Sequence, residues 1–265
     1  MKHFLLFALL FCSVITFGQV NLDSIFKQYN VTGSVTIYDF KNQKWVFSDP
    51  VDANVASLPA STFKIINSCI ALELGVIKDE HEIIAWDGKV RKLGDQPMEA
   101  WNKDNDLVSA YKNSTIWFYE ALAEKITKDR YKQYLSKCHY GNGNLTEPGV
   151  NFWVYGAFAI DPISQIQFLK NLHFQQLPFS KRTYAIMKKL MISEENDQYT
   201  FRDKTGWATK DGKDIGWWVG YVETKNNVYF FATRVNKDEK DNNPNFAASR
   251  KEITKEALRQ IKAIE

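Results

Sequence analysis

The sequence predicts an α/β (α+β) sandwich: an antiparallel sheet formed by the N- and C-terminal segments, flanked by helices, with a mostly helical lobe between them. Three observations predict it. Strand-like segments occur early, at Ser34–Tyr38 and Lys44–Phe47, joined by a polar turn. The middle of the chain instead repeats apolar residues at helical spacing. Strand-like runs return after residue 199, separated by turn residues. Strands at both ends with helices between them bury both kinds of face when the terminal segments meet in one sheet.

Taken in order, the early pair reads as a hairpin. Ser61 to Leu74 reads as a helix ending near Gly75, a residue suited to helix C termini. Ile116–Ile126, Ile163–Leu172 and Lys181–Met191 carry apolar residues on one helical face. Tyr199–Trp207 reads as a strand, followed by the turn Lys210-Asp211-Gly212-Lys213, whose Asp-Gly pair favours a tight hairpin. Gly216–Val222, the turn Lys225-Asn226-Asn227 and Val228–Val235 complete a meander, and Arg250–Ile264 reads as a closing helix.

The 265 residues are 45% hydrophobic and 14% aromatic, enough for a large core in one domain or two closely packed lobes. The net charge is +3, which gives no argument for nucleic acid or an anionic membrane as partner. The charged run Lys237–Asp241 reads as a solvated loop. Met1-Lys2-His3 is followed by the apolar run Phe4–Phe17 and then Gly18-Gln19, the pattern of a secretory signal peptide over residues 1–18. That run is shorter than the roughly 20 residues a membrane span needs. The expected mature domain is therefore 19–265, exported across the inner membrane to the periplasm, with no stable membrane span. Bulky Phe11 before Cys12 argues against lipid attachment there. Cys69 and Cys138 remain in the mature chain, and the sequence leaves open whether they pair. His3, His81, His139 and His173 are scattered, so no metal site and no histidine-based triad is expected.

The most informative segment is Leu58-Pro59-Ala60-Ser61-Thr62-Phe63-Lys64. Residues i and i+3 share one helix face, so Lys64 can stand beside Ser61. A serine hydroxyl needs a base to become a nucleophile. A lysine buried among apolar groups favours its neutral form and can supply that base. Lys204-Thr205-Gly206 lies on a predicted strand, with a cation for an anionic ligand and a glycine for close approach. Ser114-Thr115-Ile116 opens a predicted helix, where Ser114 reads either as an N-cap or as a proton-relaying hydroxyl. Tyr140-Gly141-Asn142 reads as a turn and Phe152-Trp153 as core aromatics, although a buried indole N–H needs a partner. Each motif alone is commonplace.

Together and in this order, these segments resemble the class D β-lactamases, the oxacillinase family, within the wider group of serine β-lactamases and penicillin-binding transpeptidases. The resemblance runs from about Gly33 to the final helix. It is supported by Trp101-Asn102-Lys103-Asp104, Trp217-Trp218-Val219-Gly220 and Tyr229-Phe230-Phe231-Ala232. Ile116 stands where class A enzymes and many transpeptidases carry asparagine, and it matches the valine or isoleucine of class D enzymes. No class A glutamate motif occurs between residues 140 and 204.

The resemblance implies hydrolysis of β-lactam antibiotics, penicillins foremost, and hence antibiotic resistance. It implies Ser61 as nucleophile and Lys64 as an N6-carboxylysine, formed with carbon dioxide or bicarbonate and acting as general base for both acylation and deacylation. No other cofactor is implied. Phe63, Ile116, Trp153 and Val154 would form the pocket, with the Trp153 indole N–H holding the carbamate. Backbone N–H groups of Ser61 and Trp207 would form the oxyanion hole, and Ser114 would pass the proton to the leaving nitrogen. Lys204, Thr205, Gly206 and Arg250 would meet the substrate, Arg250 matching an arginine that precedes the last helix in the family. Trp101 would form an apolar wall of the cleft or pack in the core. Three rival readings are a β-lactam sensor domain that holds the acyl group, a cell-wall transpeptidase, and a secreted binding protein without turnover. Ile116 and Tyr140-Gly141-Asn142 argue against the transpeptidase, and the absence of a second apolar span argues against a membrane-anchored sensor.

Overall fold

The computed structural model describes residues 17–93 and 96–265. From the N terminus, β1 (Phe17–Gln19) and α1 (Asp23–Gln28) precede the hairpin β2 (Thr32–Asp39) and β3 (Lys44–Phe47). The helical lobe follows with α2 (Lys64–Glu73), a small ribbon of β4 (Lys92–Leu93) and β5 (Gln96–Pro97), and then α3 (Leu107–Asn113), α4 (Ile116–Ile126), α5 (Lys128–Lys137), α6 (Pro162–His173) and α7 (Lys181–Leu190). The chain returns through β6 (Ile192–Glu195), β7 (Tyr199–Lys210), β8 (Lys213–Thr224) and β9 (Val228–Asp238) and closes with α8 (Phe246–Gln260).

Among the described residues the main sheet has seven strands, in the order β1-β3-β2-β9-β8-β7-β6. The antiparallel β2–β9 pairing, Thr32 with Asn236 through Asp39 with Tyr229, joins the two ends of the chain as expected. Side chains alternate across a strand, so the neighbours Trp217 and Trp218 of β8 serve opposite faces. Trp217, Val219, Tyr221, Phe230 and Ala232 pack with the helical lobe. Trp218, Val222, Phe231 and Val235 pack with Phe246, Ile253, Ala257 and Leu258 of α8. The result is three layers, with the sheet between the helical lobe and α8.

Several boundaries differ from expectation. The Asp211-Gly212 turn is where the sequence puts it, with both residues at positive φ (51° and 73°), the geometry of a two-residue hairpin loop. Strands β7 and β8 extend to that turn instead of stopping at residues 207 and 216, because the ladder continues through Lys210–Lys213. Helix α8 begins at Phe246 and ends at Gln260, since helix-favouring Ala247 and Ala248 carry it back from Arg250. Helix α5 is absent from the sequence reading. It is strongly polar and buries only Tyr131 and Leu135, a seam too narrow to register as periodic.

Of the expected leader, residues 1–16 lie outside the described residues. Phe17 and Gly18 form β1 with Gln19, parallel to Trp45–Phe47 of β3. Among the described residues no helix is long and apolar enough to cross a membrane. Cys69 and Cys138 are both buried free thiols. Burial pushes the Cys138 thiol up to about 12 and that of Cys69 well above its ordinary value, so both stay protonated.

Candidate active site

Ser61 sits on a 3-10 turn, Ala60–Phe63, that runs directly into α2 at Lys64. The expected uninterrupted helix from Ser61 is thus tightened at its start, yet the i, i+3 geometry survives: Lys64 Nζ donates to Ser61 Oγ at 3.0 Å. The turn is entered through Ala60 at φ 51°, a left-handed conformation uncommon for any residue but glycine. Such strain persists only where the surroundings over-determine it, and here they do. The Ala60 N–H donates to the Trp153 carbonyl at 2.9 Å. The Trp217 indole donates to the Leu58 carbonyl at 2.9 Å, and Thr62 Oγ1 donates to the Pro59 carbonyl at 2.7 Å.

Lys64 is completely buried. Burial, reinforced by the nearby Lys204 charge and opposed by Glu120, lowers its pKa to about 7. Its Nζ lies 4.9 Å from the centroid of the Tyr119 ring, whose hydroxyl bonds Ser68 at 3.0 Å. Tyr119 was not singled out from the sequence, although it stands three residues after Ile116 on the same face of α4 and was legible on spacing. Phe63 stacks on Trp153 with ring centroids 5.0 Å apart and planes 7° from parallel. The Trp153 indole N–H is buried and has no hydrogen-bond acceptor among the described residues. An orphaned buried donor is rare and calls for a partner, and a carbamate on Lys64 has the acceptor oxygens to be one.

Ser114 lies at the junction of α3 and α4. It does not cap α4; it is the left-handed C-cap of α3 (φ 54°, ψ 38°), and Thr115 takes the N-cap position. Its Oγ accepts a hydrogen bond from Lys204 Nζ at 2.6 Å. Ile116 follows half-buried at the start of α4. Lys204 is buried on β7. Burial lowers its pKa to about 8; Asp203 opposes the shift, and Arg250 and Lys251 add to it. The Asp203 N–H donates to the Met191 carbonyl at 2.9 Å and its carbonyl accepts from the Tyr111 hydroxyl at 3.0 Å; beyond Asp203, β7 has no strand partner on its β6 side among the described residues, leaving an edge to which an extended ligand can pair.

Gly206 admits a close approach, as its sequence context suggested, but to the protein itself. A Cβ there would lie 2.8 Å from the Pro59 carbonyl and 3.1 Å from Thr62 Cγ2. The glycine therefore lets β7 press against the nucleophile turn. Arg250 is the fifth residue of α8, not a residue before the last helix. Its guanidinium is buried, donates from Nη1 to the Gly206 carbonyl at 2.6 Å, and is lowered by burial to about 10, still a cation at neutral pH. Thr205 is half-buried between these groups along the chain. Trp207, directly after Gly206, is 43% exposed and packs edge-on against Phe246 at 4.8 Å.

Two motif residues turn out to be braces. Trp101 belongs to the core rather than to a cleft wall. It is 7% exposed, its indole donates to the Asn113 carbonyl at 2.9 Å, and its own carbonyl receives the Trp117 indole. It thereby steadies the residue before Ser114. Tyr140 is buried and reaches the nucleophile turn indirectly: its hydroxyl donates to Gln165 Oε1 at 3.3 Å, and Gln165 Nε2 donates to Thr62 Oγ1 at 3.0 Å. Gly141 has φ 69°, and a Cβ on it would come within 2.5 Å of Phe158. Asn142 bonds the Ala157 carbonyl and the Ala159 N–H, at 2.8 and 3.2 Å, fixing the end of the loop that carries Trp153.

Ser61, Lys64, Ser114 and Lys204 thus form two hydrogen-bonded Ser–Lys pairs in a largely desolvated cleft, with Arg250 behind the strand. Among the described residues no cluster of side chains could hold a metal ion. The arrangement can activate a serine hydroxyl and offer cations to an acid.

The penicillin binding protein transpeptidase domain family matches residues 30–260. Beta-lactamase OXA-48 of Klebsiella pneumoniae is 38% identical over 239 residues, which cover 90% of this chain and 87% of the relative. Probable beta-lactamase YbxI of Bacillus subtilis is 35% identical over 82% of this chain and 79% of its own. Among solved structures, the class D beta-lactamase from Sebaldella termitidis superposes with a TM-score of 0.90 at 43% identity, covering 96% of this chain and 100% of that one.

Proposed function

The chain belongs to the class D serine β-lactamases, and from that premise we propose that it hydrolyses β-lactam antibiotics, penicillins foremost, through an acyl-enzyme on Ser61, with Lys64 carboxylated on its amine. The observation that carries the reading is the fully buried Lys64 within 3.0 Å of Ser61 Oγ.

A carbamate on Lys64, held by the Trp153 indole N–H, would supply an anionic base for the Ser61 hydroxyl and for the hydrolytic water. Every other part of the reaction belongs to side chains and backbone of this chain. Lys64 must be neutral to react with carbon dioxide, and its pKa of about 7 leaves much of it neutral at physiological pH. Lys204 adds a second reason: its charge disfavours an ammonium on Lys64 and attracts the carbamate formed from the neutral amine. The Trp153 N–H is available to hold the new anion, a charge-assisted bond in a desolvated site. Ser61 attacks the lactam carbonyl. The backbone N–H groups of Ser61 and Trp207 bind the developing oxyanion, and such donors are worth roughly 3–4 kcal/mol each when removed. Ser114, held by Lys204, delivers a proton to the lactam nitrogen as the ring opens. The substrate carboxylate rests on Lys204 and Thr205, with the buried Arg250 charge behind Gly206.

The Lys64 carbamate should appear as a carbon-13 NMR signal when the protein is equilibrated with labelled bicarbonate. Carboxylation needs the neutral amine and releases a proton, so the signal should fade as pH falls through about 7. Trp153→Phe keeps the aromatic stack on Phe63 and deletes the N–H. A hydrogen bond to a charge contributes about 1.5–3 kcal/mol, so this variant should need roughly 10- to 100-fold more bicarbonate for the same signal. An unchanged bicarbonate requirement would remove the indole from the site. Turnover of benzylpenicillin tests the function itself.

We also infer that residues 1–18 are a leader, that the mature chain is periplasmic, and that it confers resistance by destroying the drug there. The intact mass of the exported protein should correspond to a chain starting at Gln19; retention of residues 1–18 would rule out that cleavage.

A further inference from the structure

Between α3, α7 and the β6–β7 edge lies a pocket of about 610 Å³, within the range of small-molecule sites, which meets the catalytic cleft at Lys204 and Thr205. Its apolar lining comes from Val108 and Tyr111 of α3, Ile186 and Leu190 of α7, and Ile192 of β6. Val108 and Ile192 are exposed despite their chemistry. Around these residues stand four lysines, Lys112, Lys189, Lys204 and Lys251, against two carboxyl groups, Glu80 and Asp203. None of the four lysines makes an ion pair within the described residues. Asp203 faces Lys204 and Lys251 and offsets part of their charge. Its carboxyl group is buried, bonded by Ser193, and raised above the ordinary carboxylate range by burial. The four lysines outnumber the two carboxyl groups, and an anion seated among them balances the excess positive charge. Nothing in the hydrolytic mechanism uses Lys112, Lys189 or Lys251.

We propose that this pocket is a second ligand site, taking a compact organic anion that has an apolar body and one carboxylate, such as an aryl carboxylate. The apolar side chains of α3, α7 and β6 receive the body, and Lys112, Lys189 and Lys251 receive the acid. The site shares Lys204 and Thr205 with the catalytic cleft, and the rest of its lining comes from groups the reaction does not touch. The proposal does not depend on the hydrolytic reading, and the protein need not turn over a β-lactam for it to be tested.

The probe is naphthalene-2-carboxylate, titrated into methyl-labelled full-length mature protein and followed by NMR. The methyl signals of Val108, Ile186, Leu190 and Ile192 should shift together with one dissociation constant, while that of Ile116 in the cleft stays in place. The double variant Lys112→Glu/Lys189→Glu changes only exposed side chains. It should keep the native methyl spectrum and weaken binding at least tenfold. Shifts centred on Ile116 would place the anion in the catalytic cleft and overturn the proposal. So would the absence of shifts at millimolar probe, or an affinity indifferent to the double charge reversal.

Discussion

Ser61→Ala should bind penicillin and never acylate, with kcat/KM falling by roughly 10⁴-fold or more, as when a nucleophile is deleted from a catalytic unit. Ser61 Oγ is the hydroxyl that accepts the Lys64 bond, at the head of a turn held by Trp153, Trp217 and Gly206. None of those anchors involves the Ser61 side chain, so the variant should fold normally and its loss should be chemical. Intact-mass spectrometry after incubation with benzylpenicillin reads the outcome: wild type passes through an adduct, and the variant stays at its own mass. An adduct on the variant, or normal turnover by it, would refute the nucleophile.

Lys64→Ala should fail differently. A general base contributes about 10²–10⁴-fold, so acylation should slow by that order while Ser61 remains present. Deacylation relies on the same group, so any acyl-enzyme that forms should persist, visible by mass long after wild type has recovered. Bicarbonate should rescue nothing, in contrast to Trp153→Phe. Rapid loss of the adduct would show that another group activates water. The variant also carries a stability signature. The Lys64 pKa is depressed from 10.5 to about 7 in the folded protein, so the unfolded chain binds more protons between those values. Wild-type stability should therefore rise with pH across about 7 to 10.5 through this group, and Lys64→Ala should lose that part of the slope.

The layers of the fold were readable because each rested on a strong local signal. The Asp211-Gly212 turn fixed one hairpin of the meander, and Ile116–Ile126 has the same bounds in the structure as in the pattern. Helix α5 escaped notice because two buried residues, Tyr131 and Leu135, are all its seam contains. Helix α3 escaped because its start depends on a reciprocal cap between Asp106 and Ser109. The site was legible as a set of motifs and less so as roles. Ser61 and Lys64 meet as their spacing requires, but no local pattern says that Ser114 ends one helix instead of starting the next. Trp101 looked equally suited to a cleft or a core; its indole bond to Asn113 decides for the core. Gly206 makes room for Pro59, a residue far away in sequence, which only the tertiary structure reveals. The same holds for Tyr140, which reaches Thr62 through Gln165.

The most direct measurement is steady-state hydrolysis of benzylpenicillin and a chromogenic cephalosporin by the purified mature protein, in buffer stripped of carbon dioxide and again with added bicarbonate. A hydrolase working through carboxylated Lys64 should give many turnovers per enzyme, at a rate that rises with bicarbonate. A single burst followed by silence in both conditions would mean that the acyl group is held and not released, and would contradict the assignment of Lys64 as the base that frees it.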